Sequence, residues 1–121
     1  MKSVLLILRV SLEELDRLRE ALRLAAGLSI GGLKIDLLAE GATPSVLAAL
    51  WHEEAANDEF QALRDAGICI LFKESFVDDL NPLKACEELF QPMPASALQK
   101  IIDEASVRIV FEDRVPSREK R

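Results

Sequence analysis

Tyrosine is absent from this chain, histidine and tryptophan occur once each, and cysteine occurs twice. With one histidine, a metal site built on a histidine pair is excluded. The stretch HEEAA at 52–56 resembles the start of a zincin motif but has alanine where the second ligand must stand. Cys69 and Cys86 stand at unrelated positions. They make neither a disulfide framework nor a metal-ligand spacing, so both are expected as thiols. Positive charge is also short. Fifteen Lys and Arg face 21 Asp and Glu, for a net charge of −6. That leaves no basic face for nucleic-acid phosphates and disfavours an anionic membrane surface.

Long apolar runs are missing as well. VLLIL, residues 4–8, is far short of the roughly 20 apolar residues that a membrane span needs. Arg9 interrupts it too early for a signal-peptide core, and no small-residue cleavage site follows. The expected compartment is the cytoplasm. Gly27, Gly31 and Gly32 precede a strand, whereas a phosphate loop follows one. No Ser–His–Asp arrangement can be read from the spacing. No catalytic residue, metal or cofactor is therefore expected.

What remains is an ordinary globular balance, half hydrophobic and 30 % charged over 121 residues. It fits one domain over residues 1–112, with a polar tail over 113–121. Residues 4–10 read as a strand with both faces covered. Ser11 and Glu14 have the spacing of a capping box, and Leu12, Leu15, Leu18, Leu22 and Ala25 then recur at helical spacing until about Gly27. Leu33, Ile35 and Leu37 alternate in a second strand. Thr43-Pro44 opens a helix with Val46, Leu47, Leu50 and Trp51 on its buried face. A break at Asn57-Asp58 and a shorter helix lead to Gly67, and ICILF at 68–72 is the third strand. A short helix is expected through Glu88, then a brief edge strand in LFQPMP, where proline disfavours a central position. Leu98, Ile101, Ile102 and Ala105 mark the last helix, and residues 107–111 the last strand.

Alternating strands and helices imply a three-layer α/β/α sandwich with a mainly parallel sheet of four or five strands. Ligands in such sheets bind beyond the carboxyl ends of the strands. That directs attention to loops 11–14, 40–45, 73–79 and 112–114, and to Glu40, Gly41, Lys73, Glu74 and Ser75 as the ligand-binding rim. The acidic pairs Glu13-Glu14, Asp78-Asp79 and Glu87-Glu88 diverge by about 100° on a helix and read as solvated faces. His52 reads as a surface or subunit-contact residue. Cys69, inside an apolar run on a central strand, reads as buried and inert, and Cys86 beside two glutamates is no better a nucleophile.

Taken together, SVLLILRV, LKIDLLAEGA, LRDAGICILF and LQKIIDEASVRIVF resemble the strands and closing helix of the DsrE/DsrF-like sulfur-relay family. That family includes the Tus proteins of tRNA thiolation. The resemblance implies an acceptor cysteine in the loop after the third strand, where this chain reads KESF, residues 73–76. The family also contains subunits without that cysteine, which assemble with active partners or as homo-oligomers. The chain is thus expected to be a non-catalytic or degenerate relay subunit. The alternatives are a small-molecule-binding or enzymatic domain using the rim, or a plain interaction module. Its wide apolar helix stripes point to a homo-oligomer, a trimer or dimer, or to assembly with related sulfur-relay subunits.

Overall fold

The computed structural model describes residues 3–41, 43–76 and 89–113. In chain order the elements are β1 (Ser3–Arg9), α1 (Leu15–Ile30), β2 (Lys34–Ala39), α2 (Thr43–Trp51), α3 (Asn57–Ala66), β3 (Ile70–Lys73), β4 (Phe90–Met93), α4 (Ala95–Glu104) and β5 (Val107–Glu112). The five strands form one all-parallel sheet in the order β4-β3-β2-β1-β5. The expected layering is present. Val4, Leu6 and Leu8 of β1 pack with α1, α2 and α3 on one face, while Leu5 and Ile7 pack with Leu98 of α4 on the other. That two-sided burial is why β1 reads as a continuous apolar run rather than an alternating one.

Local chemistry accounts for the boundaries, including those the sequence misplaces. α1 runs through Gly27 to Ile30, because a helical glycine costs only about 1 kcal/mol and Leu28 beyond it still packs on the core. The turn comes at Gly32, whose φ of 89° is the left-handed conformation that glycine tolerates. The Ser11–Glu14 capping box does not form. A 3-10 turn over Leu12–Glu14 intervenes, neither start has a side-chain cap, and the Ser11 N–H goes to Asp113 instead. The break after α2 falls at His52-Glu53, before a 3-10 turn at Glu54–Ala56, and Asn57 opens α3 rather than ending the previous helix. His52 is exposed there.

β3 starts later than the apolar run suggests. Gly67, at φ 72°, closes α3, and the Ile68 N–H is still bonded to Leu63 of that helix. Ladder pairing begins only at Ile70. Cys69 therefore precedes the strand and is half-buried against the Leu5 cluster, not sealed within the sheet. The proline-containing β4 does lie at the edge, paired among the described residues with β3 alone. The helix expected through Glu88, with Asp78, Asp79 and Cys86, and the tail beyond residue 113 lie outside the described residues.

Candidate functional site

Strand order reverses at β1. The chain winds outward from β1 through β2 and β3 to β4, then returns over the sheet to place β5 on the other side of β1. A crevice at the carboxyl ends of the strands is the expected consequence of such a reversal. A cleft of about 730 Å³ opens at that edge, on the face covered by α4. Its floor is Leu38 with the strand-end residues Arg9, Glu40 and Lys73, and its wall is Ala95, Leu98, Gln99 and Ile102. Val10, Ser11, Gly41 and Asp113 form the rim.

The end of β1 is tied to three other elements. The buried Thr43 hydroxyl donates to the Leu8 carbonyl at 2.7 Å and accepts from the Val10 N–H at 3.0 Å, fixing the start of α2 against the strand. The Glu40 N–H also donates to the Leu8 carbonyl, at 2.9 Å. Asp113, just past β5, accepts from the Ser11 N–H at 3.0 Å. Arg17 of α1 holds the same strand end, with its guanidinium 4.7 Å from the Phe111 ring centroid and a bond to the Glu112 carbonyl.

Arg9 spans the reversal point. It reaches Glu40 beyond β2 at 2.8 Å and Glu112 of β5 at 3.3 Å. The hydrogen bond to Glu40 raises the guanidinium pKa above its ordinary range, burial works against that, and the charges of Glu40 and Glu112 add to it. Arg9 is thus a charged, half-exposed link across the strand ends. Among the described residues no group of three or more His, Cys, Asp or Glu side chains is placed to hold a metal ion. Among them, too, no helix is long and apolar enough to cross a membrane.

Of the five rim residues named from sequence, the fold brings Glu40, Gly41 and Lys73 to the cleft. Glu74 and Ser75 sit exposed in a 3-10 turn, Glu74–Phe76, and do not line it. Sequence reasoning missed Arg9, Gln99 and the apolar wall. The signal that could have found Arg9 was a charged residue ending an apolar strand at the edge where ligands bind.

No family model and no curated protein matches the sequence. Among solved structures, the crystal structure of the ychN protein from E. coli superposes with a TM-score of 0.68. The match covers 92 % of this chain and all of the ychN chain, at 14 % identity. At that identity the likeness is one of fold, and it agrees with the family pattern seen in the strands and closing helix. The chain has the DsrE/DsrF-like fold.

Proposed function

We propose that the chain is a cytoplasmic DsrE/DsrF-like subunit with no sulfur-accepting thiol, acting through an oligomeric assembly. The observation that carries this reading is the composition of the two ends of β3. The end at the cleft, where the family resemblance puts the acceptor cysteine, bears Lys73. Cys69 lies before the opposite end of the same strand, roughly 13 Å away for four residues at about 3.3 Å each. An ammonium group cannot hold a sulfane sulfur, and a thiol at the far edge of the sheet cannot present one to the cleft. Incubated with a cysteine desulfurase and cysteine, the protein gains no cyanide-labile sulfur. Stoichiometric loading on Cys69 or Cys86, seen by mass spectrometry, would refute the reading.

The helix stripe of Val46, Leu47 and Leu50 is buried within one subunit and so gives assembly no support; what supports it is a few other apolar side chains left at the surface. Ile30 is 87 % exposed, and Val107 and Val110 of the edge strand β5 are about two-fifths exposed. A trimer or dimer of this chain, or a complex with related sulfur-relay subunits, covers such groups. Light scattering after size exclusion is expected to give a multiple of 13.4 kDa. A monomer mass at micromolar concentration counts against a homo-oligomer.

The cleft favours a second reading, that of a small-molecule-binding domain. Its volume falls within the roughly 300–1,000 Å³ typical of ligand sites, and it combines an apolar wall with a few converging charges.

A further inference from the structure

The cation at the β1 end of the cleft is already answered by the protein itself, and the carboxylates there outnumber it. Arg9 is held by Glu40 and Glu112, and the Asp113 carboxylate receives the Ser11 N–H. Lys73 differs. It lines the same cleft, is exposed, and has no ion-pair partner among the described residues. Across from it stand Leu98, which is buried, and Ile102, which is partly buried.

We infer that the cleft takes an amphipathic monoanion, a small molecule with one acidic head group on an apolar body, anchored by the Lys73 ammonium. The inference rests on the reading of the cleft as a ligand site and names the class of ligand. A neutral ligand covering Lys73 would desolvate a charge without answering it, which is costly. A cationic head group would meet Lys73 as a like charge, would find Glu40 already engaged by Arg9, and would reach the Asp113 carboxylate only past β5, on the far side of β1 from Lys73. A dianion would bring a second negative charge toward Glu40 and Asp113. One negative charge fits the one unanswered cation among the described lining residues. Ala95 begins α4 at the cleft wall, so the positive end of that helix adds to the same preference. The apolar body then lies along Leu38, Leu98 and Ile102.

The test uses three probes with one six-carbon body: hexanoate, hexylamine and 1-hexanol. Each is titrated into the full-length ¹⁵N-labelled protein while the backbone amides of Leu98, Gln99 and Ile102 are followed. Hexanoate is expected to shift these amides at concentrations at least about fivefold lower than hexanol, in line with a charge-assisted contact, with hexylamine weakest. Lys73→Gln removes the advantage of hexanoate and leaves the hexanol response unchanged, whereas Lys73→Arg keeps it. Unshifted resonances elsewhere report that both variants are folded. If hexanol matches hexanoate in the wild type, or Lys73→Gln keeps the hexanoate preference, the monoanion assignment is overturned and the ligand-site reading stands. If none of the probes moves the three amides, the ligand-site reading falls and this inference with it.

Discussion

Replacing Thr43 with valine removes one buried hydroxyl and keeps the shape of the side chain. The hydroxyl has two partners, so the two losses can be weighed separately. The Val10 N–H loses its acceptor at 3.0 Å in a buried setting, and an unsatisfied buried donor costs about 1–3 kcal/mol. The Leu8 carbonyl loses a donor at 2.7 Å but keeps the Glu40 N–H at 2.9 Å. Its share is smaller, about 0.5–1 kcal/mol. Together these predict a destabilisation of about 1.5–4 kcal/mol for Thr43→Val. Thr43→Ser keeps both bonds and loses one methyl group, about 0.8 kcal/mol by area. In urea, with a slope of about 1.5 kcal/mol per molar, the valine variant unfolds about 1–2.7 M earlier than wild type. The serine variant unfolds about 0.5 M earlier at that slope. All three proteins are compared at one concentration, because any subunit association adds to apparent stability. If valine costs no more than serine, the hydroxyl does not hold the end of β1, and the account of how the cleft rim is built is wrong.

Three further outcomes follow from the packing. Gly27 lies inside α1 with open space where a methyl group would stand, and Gly67 closes α3 at φ 72°. Alanine at 27 therefore stabilises by about 0.5–1 kcal/mol, while alanine at 67 destabilises by about 1–2 kcal/mol. Thermal unfolding should move in opposite directions for the two. Glu59 is buried on α3 and binds Arg19 of α1 at 2.7 Å, with Arg23 at 3.5 Å. Both arginines retain access to water, so Glu59→Ala costs less than the ~3–5 kcal/mol of a sealed pair, about 2 kcal/mol, and a change below 0.5 kcal/mol would show that the contact is idle. Finally, iodoacetamide should label Cys69 in the folded protein much more slowly than in urea, since the side chain packs against the Leu5 cluster. Equal rates would show that this packing is absent.

The layout of the sheet was legible because its strands are short apolar runs set between turn residues and helical stripes. A proline in the fourth strand also placed that strand at an edge, where it lies. Boundaries were less legible where a glycine carried two meanings. Gly27 looked like a stop yet sits within α1, while Gly32 and Gly67 do end elements, and only backbone angles separate these cases. Cys69 was misplaced for a related reason. Its apolar neighbours fit a strand, but Ile68 is still bonded to the preceding helix and delays the ladder to Ile70. The candidate rim was legible only as a set of strand ends. Arg9 meets partners 31 and 103 residues away, and no local pattern announces that meeting. It depends on register, which sets Arg9 opposite Glu112.

That register also explains why the two ends of the cleft differ in character. At the β1 end, Leu8, Arg9, Val10 and Ser11 each bond to a neighbouring element: the Glu40 turn, the Thr43 hydroxyl, Glu112 or Asp113. The Thr43 bonds among these are buried and the Arg9 and Asp113 contacts are exposed, so this end is held chiefly by the Thr43 hydroxyl. A ligand charge placed there would compete with bonds already made. At the β3 end the strand stops after four residues, and its last side chain, Lys73, projects beside α4 without a counter-ion among the described residues. A net-negative end opposite an unanswered cation gives the cleft a direction, with the acidic head group of a ligand drawn toward β3. Changes at residue 73 should then alter which ligands enter, whereas changes at residues 8–11 should alter whether the cleft exists at all.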